Sequence, residues 1–237
     1  MKPEYFTSGK THILYDADAL NQISDDYFTL SGWQQRQGVD GIACGRGATV
    51  FVHDDRGEYV LRHYRRGGLV AKLNRDCYLW TGLEKSRPWR EWRLLQQMLE
   101  LGLPVPRPVA IRLIQHGLCY TADILMSRIH AISMAQRLLE SQLDREAWAV
   151  IGGSIRRFHD AGVYHSDLNA HNILLTGENG VSLIDFDRGE IREDGNWKQA
   201  NLDRLQRSLR KLASIHVDFN YHESDWAQLL EGYSCHQ

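Results

Sequence analysis

The sequence predicts an α+β fold in two lobes, a β-rich N-terminal lobe over residues 1–126 and a helical C-terminal lobe over residues 127–237. Two patterns predict this fold. Short runs of β-branched and aromatic residues between turn residues dominate the first half, whereas apolar residues at helical spacing dominate the second. The chain has 237 residues, 43% of them hydrophobic and 24% charged, so it is long enough to bury a core.

The N-terminal lobe is predicted to contain two hairpins and one helix. Gly57 lies in the first hairpin turn, where a positive φ is expected. Gly102 and Pro104 are expected to end the helix. The predicted segments are strands at 49–52 and 59–62, a helix at 89–101, an extended proline-rich stretch at 103–108, and strands at 109–114 and 118–126. Residues 127–133 are expected to cross to the second lobe.

The C-terminal lobe is predicted to be mainly helical. Asp144 is placed to cap the first long helix, and Gly162 follows its end. The predicted segments are a helix at 144–161, strands at 172–175 and 181–184, and a basic helix at 197–215.

Composition and charge exclude several classes of protein. The net charge of −2 excludes a chain that is basic overall and coats nucleic acid, and we predict neither a nucleic-acid nor a protein partner. No run of about 18 apolar residues predicts a transmembrane helix, and the N-terminus lacks the apolar stretch of a signal peptide. The four cysteines form no CxxC pair, so we expect free thiols in a reducing compartment.

Two short motifs have the residue order of a phosphoryl-transfer site. Residues 165–172 read HSDLNAHN, and residues 183–187 read LIDFD. Such chemistry needs one carboxylate to orient the acceptor hydroxyl and separate oxygen ligands to hold Mg²⁺. The order of a catalytic Asp, a metal-binding Asn and a later metal-binding Asp is that of kinases. It assigns the catalytic role to Asp167 and the metal to Asn172 and Asp185, and it makes the expected fold protein-kinase-like.

Upstream residues are candidates for holding ATP. Gly45, Arg46 and Gly47 precede the first hairpin, where a phosphate-covering loop belongs, although a plain turn fits equally well. Arg62 lies near the end of the next strand, where protein kinases carry a lysine. It offers a permanent charge and a bidentate fork to the phosphates. Glu91 is its expected helix partner, and the alternative is that Glu91 faces solvent.

Three polar residues of the two motifs are possible accessory residues. His165 begins the first motif. His171 lies between the catalytic Asp and the metal-binding Asn, so it either takes part in the site or only packs the loop. Asp187 either lies near a second metal or caps the following turn. The remaining histidines form no zinc-binding motif, so we predict no zinc site.

Positive charge is concentrated between residues 62 and 93. This stretch contains nine Lys or Arg, three acids and three of the seven tryptophans, which suits an anionic, amphipathic partner such as a phospholipid surface. The alternative is a solvated charged face with core tryptophans. The candidate lipid or membrane contacts are Lys72, Arg75, Trp80, Lys85 and Arg87.

The motifs together resemble those of the 3-deoxy-D-manno-octulosonic acid (Kdo) kinase family, relatives of the lipopolysaccharide heptose kinases. The resemblance lies in four segments: RHYRRGG at 62–68, LPVPRP at 103–108, HSDLNAHNILL at 165–175 and IDFDRG at 184–189. It implies an ATP- and Mg²⁺-dependent enzyme of Gram-negative bacteria, peripheral on the cytoplasmic face of the inner membrane. The implied acceptor is the 4-hydroxyl of Kdo on a lipid A precursor.

Two other functions stay open on the sequence. One is another small-molecule kinase of the same fold, of the aminoglycoside, choline or heptose type. The positive 62–93 stretch argues against a cationic acceptor. The other is a non-catalytic, lipid-binding pseudokinase, against which every catalytic and metal position is filled.

Overall fold

The computed structural model describes residues 1–44, 48–65, 76–177 and 180–235. The chain divides into two compact units. The first comprises Met1–Gln96 and Pro106–Ile129, and the second comprises Gln97–Val105 and His130–Gln237. The first is built on an antiparallel sheet and the second contains most of the helices, so the α+β prediction is confirmed.

An eight-stranded antiparallel sheet forms the first unit. Seven strands follow the order β1-β2-β7-β8-β5-β4-β3, and β6 pairs with β8. Both predicted hairpins are present, as β4–β5 and β7–β8, whereas the short helix α1 was not predicted. The elements are β1 (Pro3–Ser8), β2 (Thr11–Asp16), α1 (Leu30–Gln35), β3 (Val39–Cys44), β4 (Ala48–Asp54), β5 (Gly57–His63), β6 (Tyr78–Leu79), α2 (Arg87–Glu100), β7 (Pro108–His116) and β8 (Cys119–Ser127).

The helix α2 forms because its apolar residues recur on one face. Trp92, Leu95 and Met98 lie at spacings of three and are almost fully buried. Gly102 then adopts a φ of +69°, which glycine accommodates without strain. The predicted helix and the predicted residue that ends it are both confirmed.

The second unit contains a three-stranded sheet, β12-β11-β9, a two-stranded sheet, β10-β13, and helices. The predicted helix at 197–215 is confirmed with the same bounds, whereas α3 and α6 were not predicted. The elements are β9 (Ile132–Ser133), α3 (Met134–Glu140), α4 (Arg145–Asp160), β10 (Val163–Tyr164), β11 (Ile173–Thr176), β12 (Gly180–Leu183), β13 (Glu190–Ile191), α5 (Trp197–Ile215) and α6 (Glu223–Cys235).

Both ends of α4 agree with the sequence prediction. The Asp144 carboxylate accepts a hydrogen bond from the backbone N–H of Ala147 at 2.8 Å, which satisfies one of the free donors of the first turn. Gly162 has a φ of +72°, and a Cβ there would lie 2.7 Å from the carbonyl oxygen of Arg192. A larger residue would therefore disturb the strand pair β10–β13.

Two predictions about the first unit are wrong. Gly57 does not adopt a positive φ, because the Asp54 carboxylate accepts hydrogen bonds from the N–H groups of Arg56 and Gly57 and closes the turn without one. Cys77 and Cys119 form a disulfide and are not free thiols. The pairing of β6 with β8 brings the Cα atoms of the two cysteines to 5.7 Å from each other, within disulfide range, although the cysteines are 42 residues apart in the sequence. Cys235 is free and exposed.

Among the described residues, none of the helices combines the length and the apolar character needed to span a bilayer.

Candidate active site

His165 ties the two predicted motifs together. Its Nδ1 lies 3.1 Å from the backbone nitrogen of Asp167, and its Nε2 lies 2.9 Å from the carbonyl oxygen of Ile184. Because a backbone N–H only donates, Nδ1 accepts and Nε2 carries the proton that it donates to Ile184. Burial lowers the pKa of His165, so the neutral ring that this geometry requires is also the favoured form.

Asn201, on α5, holds His165 from the other side. Its Oδ1 accepts from the backbone N–H of His165 at 3.2 Å, and its Nδ2 donates to the His165 carbonyl at 2.9 Å. Both residues are buried. The sequence analysis missed Asn201. The available signal was a polar residue in line with the apolar positions Leu205 and Leu209 of α5.

Asp167 and Asn172 are arranged so that their side-chain oxygens can bind a substrate group or a cation. The Asp167 side chain is 56% exposed. Its carbonyl oxygen accepts from the side-chain amides of Asn169, at 2.9 Å, and Asn172, at 3.0 Å. Since the amide nitrogen of Asn172 is engaged in this way, its Oδ1 is the atom suited to a cation.

Asp185 lies on a strained turn next to Asn172. The N–H of Ile184 donates to the carbonyl of Asn172 at 3.0 Å, which places the following residue, Asp185, beside the first motif. Asp185 has a φ of +64°, a conformation that costs a residue with a Cβ about 1–2 kcal/mol. Such backbone strain persists only where the surrounding structure enforces it, and strained residues of this kind are common at functional sites.

The other two accessory candidates differ in position. The backbone carbonyl of Asp187 accepts from the Ser166 hydroxyl at 2.7 Å, which provides another link between the motifs. Phe186, between the two acids, is fully buried and its ring lies 4.7 Å from that of His165. His171 is exposed, and its backbone N–H donates to the Asn169 side chain at 2.9 Å.

One cation lies against the catalytic candidate. Nη1 of Arg204, on α5, is 3.3 Å from Oδ1 of Asp167. One turn later, the Ser208 hydroxyl accepts from the backbone N–H of Ala170 at 3.3 Å. Neither residue was singled out from the sequence, because 37 residues separate Arg204 from Asp167 and only the packing of α5 brings them together.

In the first unit, the structure places Arg62 and Glu91 in direct contact. Nη2 of Arg62 on β5 lies 2.6 and 2.8 Å from the two carboxylate oxygens of Glu91 on α2. The Tyr64 hydroxyl donates to the same carboxylate at 2.5 Å, and this contact was not predicted. The Glu91 side chain is 1% exposed, so the alternative in which it faces solvent is wrong.

Two sets of candidate residues are only partly described. Gly45, Arg46 and Gly47, the predicted phosphate-covering loop, lie outside the described residues, and so do Lys72 and Arg75 of the candidate membrane contacts. Trp80 is partly buried, with its ring stacked on His12 at 5.9 Å. Arg87 lies over the ring of Tyr78 at 4.8 Å, and Lys85 is exposed.

Trp89 and Trp92 are buried in the first unit. The core alternative therefore holds for these two tryptophans, whereas Trp80 is only partly buried.

The fold and the two linked motifs define a kinase-like phosphotransferase. Known proteins agree with this class. The lipopolysaccharide kinase (Kdo/WaaP) family matches residues 31–233, and the chain belongs to this family.

Curated relatives are similar over almost the whole chain, and each is called 3-deoxy-D-manno-octulosonic acid kinase. The Vibrio parahaemolyticus protein is 42% identical, over 94% of both chains. The Photobacterium profundum protein is 42% identical, over 93% of this chain and 94% of its own. A Haemophilus influenzae protein is 39% identical, over 97% of this chain and 99% of its own.

Proposed function

We propose that this chain transfers the γ-phosphoryl group of ATP to the 4-hydroxyl of a Kdo residue on a lipid A precursor, in lipopolysaccharide biosynthesis. The observation that carries the proposal is the joint anchoring of both motifs by His165, which holds the Asp167 and Asp185 segments at once. The names of the relatives support Kdo as the acceptor.

Asp167 acts on the acceptor hydroxyl in this proposal. Its exposed carboxylate accepts a hydrogen bond from the hydroxyl and orients the oxygen toward phosphorus. As the new P–O bond forms and the bond to the ADP oxygen breaks, the hydroxyl proton passes to Asp167. Asp167 later releases this proton to solvent, which restores the carboxylate.

One residue from each motif fits Mg²⁺. Asn172 offers an amide oxygen and Asp185 a carboxylate, and oxygen ligands in this small number suit an ion that keeps its remaining positions for phosphates and water. When bound, Mg²⁺ would neutralise charge that develops on the phosphates. The chain's own contribution is to hold these two oxygens in place through the Ile184 backbone contacts.

Arg62 is the proposed contact for the ATP phosphates. The buried Glu91 carboxylate accepts hydrogen bonds from one nitrogen of the Arg62 guanidinium group, and the Tyr64 hydroxyl donates to the same carboxylate. These contacts fix the orientation of the guanidinium group. Guanidinium groups bind phosphate oxygens bidentately and stay charged at any physiological pH.

A single assay separates the proposed acceptor from its rivals. Purified protein is incubated with ATP, Mg²⁺ and either a Kdo-bearing lipid A precursor, a heptose-bearing lipid, kanamycin or choline. Mass spectrometry then detects the added phosphate. We expect transfer to the Kdo lipid alone, at the 4-hydroxyl. Transfer to kanamycin or choline would favour the small-molecule alternative, and no transfer to any acceptor would favour a pseudokinase.

We further propose that the first unit docks on an anionic membrane, on the cytoplasmic face of the inner membrane. The docking surface would be an apolar edge formed by Leu79 and Leu118, 65% and 84% exposed, beside Trp80. The backbone N–H of Trp80 donates to the carbonyl of Leu118 at 2.9 Å, so these residues are adjacent. Exposed Lys85 lies in the same part of the chain, and a basic residue near such a surface contributes about 1 kcal/mol.

Vesicle co-sedimentation tests this docking surface. Wild type should pellet with anionic vesicles, release at high salt because exposed charges are screened, and ignore neutral vesicles. Replacing Leu79 and Leu118 by Ser should weaken pelleting, as should replacing Lys72, Arg75, Lys85 and Arg87 by Gln.

The matched control is Ile42→Ser. Ile42 is also an exposed apolar residue, 49% exposed, but it lies on the edge strand β3 and not on the strands β6 and β8 beside the proposed docking surface. This variant should pellet like wild type. If both test variants do so as well, another surface binds the membrane.

A further inference from the structure

The α5 helix places the guanidinium group of Arg204 against the catalytic loop. Asn201, Arg204 and Ser208 recur at spacings of three and four, so they share one face of the helix. Asn201 and Ser208 are hydrogen-bonded to the backbone of residues 165 and 170. Arg204 lies between these two anchors, and its guanidinium group is thereby positioned beside Asp167.

The contact between Arg204 and Asp167 is a poor candidate for a stabilising ion pair. It consists of one N–O approach at 3.3 Å, and the side chains are 46% and 56% exposed. Exposed pairs of this kind contribute little to stability. Only one of the five guanidinium donors is used in it, so the group can bind a further anion next to the carboxylate.

The same side of α5 carries more positive charge. Arg207 and Lys211 are exposed, and within the described part of the chain neither makes an ion pair. Arg210 differs, because its guanidinium forms two hydrogen bonds with Glu223, at 2.7 and 2.9 Å. Asp203, the acid nearest in sequence, accepts from Gln199 at 2.8 Å. An anionic ligand is therefore attracted to the Arg204 side of the helix.

We propose that Arg204 binds the carboxylate of an acidic sugar acceptor, next to the hydroxyl that Asp167 holds. This inference rests on the proposed function and names the group of the acceptor that the site recognises. A hydroxyl accepted by Asp167 at about 2.7 Å lies no more than about 6 Å from Nη1 of Arg204, given the 3.3 Å between Nη1 and Oδ1.

The proposed acceptor fits this distance. In a 3-deoxy-2-ulosonic acid, the carbon that bears the carboxylate and the carbon that bears the 4-hydroxyl are both attached to the same methylene group. The two functional groups therefore lie within a few ångströms of one another. Binding of the carboxylate draws the guanidinium group away from Oδ1 of Asp167 and leaves that oxygen to the hydroxyl.

The test compares the Kdo lipid with its carboxyl-reduced counterpart, in which a primary alcohol replaces the carboxylate. For wild type, kcat/KM should be at least tenfold lower on the reduced acceptor, the scale of a charge-assisted hydrogen bond. Arg204→Gln should raise the KM for the acid acceptor by a similar factor, leave the KM for ATP unchanged, and bring the ratio between the two acceptors close to one. Arg204→Lys should keep an intermediate ratio, and the matched control Arg210→Gln should keep the wild-type ratio.

A ratio that Arg204→Gln leaves unchanged would overturn the inference, because a residue that only positioned Asp167 would slow both acceptors equally. A wild-type ratio near one would overturn it as well. In both cases the proposed function stands, since phosphate still reaches the Kdo lipid. If wild type phosphorylates neither acceptor, the proposed function itself fails and the inference fails with it.

Discussion

Replacing Asn201 by Leu tests whether α5 holds the catalytic loop. The Asn201 side chain is buried, and both ends of its amide are bonded to the backbone of His165. Leucine has the same branch point and the same number of side-chain heavy atoms, so the change removes two hydrogen bonds without opening a cavity. The N–H and C=O groups of His165 would then be buried without these partners.

The expected loss of stability follows from these two bonds. A buried polar group left unsatisfied costs about 1–3 kcal/mol, so two such groups cost about 2–6 kcal/mol. This is a large part of the roughly 5–15 kcal/mol that stabilises a typical folded domain. Activity should fall further, because the His165 ring is hydrogen-bonded to both the Asp167 N–H and the Ile184 carbonyl. A displacement of about 1 Å in a catalytic group costs about 10²-fold in rate.

Urea unfolding gives the stability of this variant, and kcat is measured under conditions where it is folded. Asn220→Leu is the matched control, because its amide also donates twice in the second unit, to the carbonyls of Leu138 at 2.9 Å and Asp218 at 3.1 Å. The control should lose stability but keep kcat. If Asn201→Leu keeps the wild-type kcat, or unfolds with the wild-type free energy, the contact between Asn201 and His165 does not hold the catalytic loop.

Three further predictions concern charge. Asp167→Asn keeps the shape of the side chain but removes the base, so kcat on the Kdo lipid should fall by about 10² or more; an unchanged thermal midpoint would show an intact fold, and near-normal turnover would remove Asp167 from the mechanism. Asp185→Ala should abolish Mg²⁺-dependent nucleotide binding, measured by calorimetry, and a wild-type Mg²⁺ profile would contradict its role as a ligand. Burial lowers the pKa of His159 to about 4 from 6.5, so its neutral form stabilises the fold above about pH 6.5, and about 3 kcal/mol should be lost as pH falls toward 4. The wild-type loss over that interval should exceed that of His159→Gln, and equal losses would refute it.

Much of the fold follows from local sequence patterns. Apolar residues at 92, 94, 95, 98 and 99 predicted α2, and Asp144 and Gly162 marked the ends of α4. These signals work because helical periodicity, capping and positive φ depend on residues only a few positions apart. The helices α3 and α6 were missed. α6 carries apolar residues at helical spacing, Trp226, Leu229 and Tyr233, and it packs against α4 where Gly152 and Gly232 let the two backbones approach closely.

In the candidate site, the order of the chemical groups follows from local sequence. Asp167, Asn172 and Asp185 occupy two short segments of characteristic spacing, and the pairing of Arg62 with Glu91 follows from the strand and the helix that contain them. Only the tertiary structure placed Asn201 and Arg204 beside the catalytic loop, 36 and 37 residues from their partners, and joined Cys77 to Cys119 across 42 residues. The difference lies in the sequence separation of the residues that are in contact. A motif records contacts within one turn or loop, whereas contacts between distant segments depend on how helices and strands pack, and that packing is decided by the whole core.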